Sequence, residues 1–273
     1  MRHLLFSLVA ATLLASSAFA DVDRAERLID ATRLAEVLTV MRQEGVQHAQ
    51  AIEQGSFPGQ GGLAWSVEAE RIHDVDRAMQ DMRTSLSTSL PDDEIEPVIA
   101  FFETELGAKI ISAEISAREA ILADEVDEMA DDALAEMRAR DDPRLDALTR
   151  FIQANDLIEA NVVGGLNSNF AFFRGLVDGG AYETEMTDAQ ILAEVWSQEE
   201  ELREGSEEWL FSYLGLAYSA LEDDELEAYI EISESKAGSV FNRAIFAAFD
   251  VLFTRTSYEL GLAAGRFMNA EDA

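Results

Sequence analysis

Apolar residues recur at helical spacing along almost the whole chain. Between Asp23 and Glu53, the positions of Leu28, Ile29, Leu34, Leu38, Met41 and Val46 predict one amphipathic helix. Gly55-Ser56-Phe57-Pro58-Gly59-Gln60-Gly61-Gly62 then breaks the pattern as a loop. The period resumes near Ala64 and predicts a helix through Trp65, Ile72, Val75, Met79, Met82 and Leu86, ended by a turn at Ser87-Thr88-Ser89. A long amphipathic helix follows Gly107, carrying Ile110, Ile111, Ile115, Ile121, Leu122, Val126, Met129, Leu134 and Met137, and Asp141-Asp142-Pro143 ends it.

The pattern then repeats. Leu90-Pro91-Asp92-Asp93-Glu94-Ile95-Glu96-Pro97-Val98-Ile99 reappears as Leu221-Glu222-Asp223-Asp224-Glu225-Leu226-Glu227-Ala228-Tyr229-Ile230, in register through Thr104…Gly107 and Ser235…Gly238. Arg27-Leu28-Ile29-Asp30-Ala31-Thr32-Arg33-Leu34 is echoed by Arg150-Phe151-Ile152-Gln153-Ala154-Asn155-Asp156-Leu157, and Trp65-Ser66 by Trp196-Ser197. The second copy needs a longer connection before its Trp, and Gly179-Gly180-Ala181-Tyr182 is the place for it. Such self-similarity predicts an all-α protein of two tandem homologous helical-bundle repeats, residues 21–142 and 143–273. Within each motif the carboxylates offset the positive end of a helix dipole, and Pro91 suits a first turn. Thr104 and Ser235 are placed to cap the next helix, with Gly107 and Gly238 permitting close packing. Thr187-Asp188-Ala189-Gln190 has the form of a capping box.

Residues 1–20 read as a secretory leader: Arg2, an apolar run from Leu4 to Leu14, and the small-x-small site Ala18-Phe19-Ala20 before Asp21. No other stretch reads as apolar enough for a span, so the expectation is an exported protein, periplasmic or alternatively secreted, with no stable membrane anchor after cleavage. The chain has no Cys, so an apolar core rather than disulfides must hold the fold. Acidic residues number 54 against 20 basic ones, a formal net charge of −34, and the two lysines are Lys109 and Lys236. That balance repels phosphate backbones and anionic headgroups and argues against nucleic-acid partners. A solvated acidic surface explains the charge most simply; the sharper reading is attraction of a cationic partner or divalent metal.

Ile99-Ala100-Phe101-Phe102-Glu103-Thr104-Glu105-Leu106-Gly107-Ala108-Lys109 resembles the exported bacterial family catalogued as domain of unknown function 2059. Phe101, Phe102, Thr104, Gly107 and Lys109 match its pattern of aromatic pair, hydroxyl residue, glycine and basic residue. The second copy keeps Ser235 and Gly238 but has Ile232-Ser233 in place of the aromatic pair. The resemblance implies a small, exported all-helical protein and brings no activity with it.

No catalytic, cofactor-binding or metal-binding set is assigned from the sequence. Glu70 and His73 have the Glu-x-x-His spacing that can ligate a metal from one helix face, with Glu201 and Glu204 at the repeat position. On so acidic a chain, a solvated helix face accounts for that spacing as well. His48 lacks an orienting partner, and no Gly-x-Ser-x-Gly elbow is present. Gly59-Gln60-Gly61-Gly62 lacks the preceding strand and following Lys of a phosphate loop. Phe170, Phe172, Phe173, Trp209, Phe211, Tyr213 and Tyr218 concentrate in the second half, mostly as core, with some available to line a groove. Gly261-Leu262-Ala263-Ala264-Gly265 suits close helix contact. The expected function is a non-enzymatic binding or interaction module for a peptide, an apolar small molecule or a cationic protein, with homo-oligomerisation open. A metal-binding protein or enzyme around Glu70 and His73, and a holdase-type chaperone, are the alternatives.

Overall fold

The computed structural model describes residues 23–90, 93–182 and 186–271. Among them the regular elements are helices, with no strand, so the all-α class holds. The first half contains α1 (23–31), α2 (Leu34–Ser56), α3 (Gly62–Ile72), α4 (Val75–Ser89), a 3-10 turn (Asp93–Ile95), α5 (Glu96–Phe102), α6 (Glu105–Ala120) and α7 (Asp124–Ala139). The second contains α8 (Arg144–Ala154), α9 (Leu157–Gly179), α10 (Asp188–Trp196), α11 (Glu199–Ala217), α12 (Asp223–Glu234) and α13 (Lys236–Glu271). The leader expected at 1–20 and the helix start expected at Pro91-Asp92 lie outside the described residues.

Three expected helices are interrupted. The first stops at Thr32, because Arg33 takes a left-handed conformation with φ 50° and ψ 41°. The second stops at His73, and Asp74 starts α4 by accepting the Arg77 N–H. The third breaks at 121–123 and divides into α6 and α7. Apolar period alone cannot see such breaks, because the stripe continues on both sides of each. Ser87–Ser89, expected as a turn, are still helical: Thr88 Oγ1 donates back to the Thr84 carbonyl at 3.0 Å and so does not compete with the helix.

Several local geometries occur twice. Asp156 repeats the left-handed break of Arg33, with φ 51° and ψ 37°. Just before each break a buried side chain bonds the carbonyl four residues back, Thr32 to Leu28 at 2.8 Å and Asn155 to Phe151 at 2.9 Å. Thr104 Oγ1 accepts the Gly107 N–H at 3.0 Å, and Ser235 Oγ accepts that of Gly238 at the same distance. A Cβ on Gly107 would lie 2.3 Å from the Phe101 carbonyl oxygen, and one on Gly238 2.3 Å from that of Ile232. The close approach is therefore to the end of the preceding helix. Arg27 forks to Glu96 and Glu103 at 3.0 and 3.2 Å, while Arg150 forks to Glu227 and Glu234 at 2.9 and 3.1 Å.

The main core runs through both halves and is built on Leu28, Met82, Ile99 and Ile110 from the first and Leu148, Tyr218, Leu226 and Ile230 from the second. Tyr229 is its aromatic hub, with Phe151 at 4.8 Å, Phe101 stacked at 5.8 Å and Tyr218 edge-on at 6.0 Å between ring centres. The tightest helix pair is α9 with α13. There Gly175 and Gly179 face Gly261 and Gly265, and a Cβ on Gly175 or Gly261 would lie 2.2 or 2.1 Å from a backbone oxygen of the other helix. The expected role of Gly261 and Gly265 in close contact holds, within the chain. By length and composition Lys236–Asn269 is apolar enough to cross a membrane, which corrects the expectation that no second stretch is. In this fold the same helix is the central packing element, and Arg255 and Glu259 on it pair with Asp81 and Arg77 of α4.

Candidate functional site

The helices of the two halves leave two adjoining cavities between them. The larger, about 780 Å³, is bounded by α5, α6, α8, α9, α11, α12 and α13. The smaller, about 500 Å³, lies between α2, the start of α4, α9 and α13. Met41, Ser168, Phe253 and Ser257 line both. Trp209, Tyr213 and Tyr218 line the larger cavity and Phe172 and Phe173 the smaller, so these aromatics border open space. Phe170 and Phe211 instead pack into the apolar clusters.

The polar end of the larger cavity is Glu114 of α6. The Tyr218 hydroxyl donates to Glu114 Oε1 at 2.7 Å, and the Tyr213 hydroxyl donates to the Glu114 carbonyl at 3.0 Å. Tyr229 is a second hydroxyl partner of the carboxyl. The residue keeps some solvent access through the cavity, but its carboxyl is enclosed by protein. Burial raises the Glu114 pKa above the usual carboxylate range, against the opposing hydrogen bonds of Tyr218 and Tyr229. Burial likewise pushes the Tyr213, Tyr218 and Tyr229 phenols up, reinforced by the neighbouring carboxyl. One turn along α6, Arg118 grips Glu44 of α2 through two bonds of 2.7 and 2.8 Å. Burial opposes the Arg118 charge, and the Glu44 pair more than offsets it. Arg118 lines the larger cavity and Glu44 the smaller, so this ion pair stands in the partition.

The remaining candidates fall elsewhere. His48 and His73 both line the smaller cavity, and desolvation lowers the pKa of each. His73 lies just past the end of α3, its Nδ1 2.9 Å from the Ala69 carbonyl and its ring against Gly45. Glu70 points outward, 3.7 Å from Arg42. Among the described residues no group of three or more His, Asp and Glu is placed to hold a metal ion. In the glycine loop the Gly61 and Gly62 amides donate to Glu53 at 3.1 and 3.0 Å, so the chain's own carboxylate occupies them. Thr187 and Gln190 form the expected capping box. Glu222 and Glu225 form another that opens α12, whereas a 3-10 turn precedes α5.

Sequence reasoning passed over Glu114 and Arg118. The available signal was their place on the apolar stripe of Ile110, Ile111 and Ile115, where ionisable residues at i and i+4 face the core. Residues 76–136 match the family of uncharacterized proteins conserved in bacteria, DUF2059. The match supports the family resemblance and reaches from α4 into α7. The matched stretch contains Glu114 and Arg118, while Tyr213, Tyr218 and Tyr229 lie beyond it. No curated protein and no solved structure matches the chain.

Proposed function

We propose that this is an exported binding module, built by tandem duplication, that holds an apolar small molecule between its two halves. The carrying observation is the pair of adjoining cavities with aromatic walls and a tyrosine-bound carboxyl at one end. Pockets of several hundred Å³ with apolar walls and few converging polar groups are the usual form of a small-molecule site. Both halves contribute: Glu114 comes from the first, the three tyrosines from the second. Duplication is supported by the matched breaks at Arg33 and Asp156, the matched caps at Thr104 and Ser235, and the matched forks of Arg27 and Arg150. Export to the periplasm is supported by the leader-like residues 2–20.

N-phenyl-1-naphthylamine, an apolar fluorescent dye, tests the binding reading. Saturable one-to-one binding is expected for the wild type, with sharp loss in Ser168→Trp, which places an indole where the cavities meet. Melting curves establish that the variant is folded. Dye binding that is non-saturable, or untouched in folded Ser168→Trp, overturns the reading. Export is tested by N-terminal sequencing of the periplasmic fraction, with Asp21 expected as the first residue.

A further inference from the structure

We infer that the Glu114 end of the larger cavity accepts an organic cation, an amine carried on an apolar body that fills the aromatic remainder. This rests on the binding reading above and adds the charge of the ligand. Besides its tyrosines, the cavity lining has three ionisable residues: Glu114, Asp250 and Arg118. Arg118 is spent, because Glu44 engages two of its nitrogens. Among the described residues no arginine or lysine forms an ion pair with Glu114 or Asp250; Asp250 accepts only the Asn167 amide, at 2.8 Å. With the Arg118–Glu44 pair counted as neutral, the acids that remain lack a cation.

Geometry and field agree with that count. The partners of the Glu114 carboxyl are hydroxyls, Tyr218 at 2.7 Å and Tyr229, and not cations. Trp209 and Tyr213 stack at 5.0 Å in the cavity wall, and aromatic faces beside a carboxylate are the usual surroundings of a bound ammonium. An anionic ligand would instead need an uncommitted guanidinium, and Arg118 is not one. The formal net charge of −34 also concentrates cations near the protein surface. On binding, the ammonium keeps its proton and forms an ion pair with the Glu114 carboxylate.

The test compares 4-phenylbutylamine, 4-phenylbutan-1-ol and 4-phenylbutanoate by calorimetry on the wild type and on Glu114→Gln. The amine should bind roughly tenfold or more tighter than the alcohol, the scale of one charge-assisted hydrogen bond. Glu114→Gln should erase that preference, with melting curves establishing that the variant is folded. Equal binding of amine and alcohol, or preference for the carboxylate, overturns the cation assignment and leaves the apolar reading standing. Binding of none of the three overturns both.

Discussion

The Lys236 ammonium lies 2.6 Å from the Glu94 carboxylate, reaching from the second half to the repeated acidic motif of the first. Lys109 of the first half makes the reverse reach to Glu225, which holds the same place in the motif at 221–230 as Glu94 holds in the motif at 90–99. The chain's two lysines are thus spent on a reciprocal pair of cross-half bridges. Lys109, followed by the backbone N–H of Glu222, holds the Glu225 carboxyl below its ordinary pKa. Both bridges are solvent-accessible, so they orient the halves more than they stabilise them. Lys109→Met and Lys236→Met should each lower the melting temperature only slightly at low salt. The difference should vanish at about 1 M salt, where the Debye length is about 3 Å. A large loss that survives high salt would show instead that the lysine stems carry packing.

The α9–α13 contact should tolerate no side chain. A methyl on Gly175 or Gly261 would overlap backbone atoms, which cannot swing aside as a side-chain tip can. Gly261→Ala should therefore cost about 1–3 kcal/mol or more by chemical denaturation. Gly205→Ala is the contrast: this glycine is helical, exposed and has nothing within 4 Å of its missing Cβ. It should gain about 0.5–1 kcal/mol. If both substitutions behave alike, helix propensity rather than close approach governs these glycines.

Helical class, the capping motifs and the glycine contact of α13 were legible because each has a local signature: a period, a hydroxyl residue before a glycine, a Gly-x-x-x-Gly spacing. The left-handed breaks were not. Arg33 is not a residue that favours φ near +50°, and the clues, Thr32 and Asn155 bonding backward, become visible only with the backbone in place. The site was half legible. Trp209, Tyr213 and Tyr218 announced an aromatic surface, whereas Glu114 resembled any other acid on an acidic helix. Its enclosure depends on Tyr213 and Tyr218 at the end of α11 and Tyr229 of α12 closing over it, a tertiary fact that the spacing within α6 does not encode.

Trp65 and Trp196 share a register position but not an environment. Trp65 is fully buried, its Nε1 donates to the Ala49 carbonyl at 2.9 Å, and Phe57 and Phe267 flank it at 5.0 and 5.5 Å. Trp196 is 58% exposed at the end of α10. Trp65→Ala should cost about 3–5 kcal/mol. Trp196→Ala should change stability by no more than about 0.5 kcal/mol. Iodide should quench Trp196 readily in a Trp65→Phe, Trp209→Phe background. Equal costs at the two positions would mean that the α10 face is covered as Trp65 is.

The ionisable groups of the two cavities pull stability in opposite directions with pH. Burial raises the folded-state pKa of Glu114, so the unfolded chain loses this proton first, near pH 4.3, as pH rises. The Glu114 contribution is therefore full below about pH 4.3 and is lost as pH climbs through the raised folded value. Glu114→Gln should lack that loss, so its stability relative to wild type should grow with pH across this window. Tyr218→Phe removes a bond that favours the charged carboxyl; it should push the window higher and cost about 1–3 kcal/mol. The His73 pKa is lowered, chiefly by burial, against the opposing Ala69 bond and with smaller contributions from His48, Arg255 and Arg42. Its sign is reversed: stability present above about pH 6.5 is lost as pH falls through the lowered folded value. His73→Gln should flatten the acid side of the stability profile and leave the Glu114 window unchanged. Denaturant melts of the four proteins at a series of pH values read both windows. A profile for Glu114→Gln that parallels wild type throughout would show that Glu114 has the same pKa folded and unfolded, and so is not an enclosed acid.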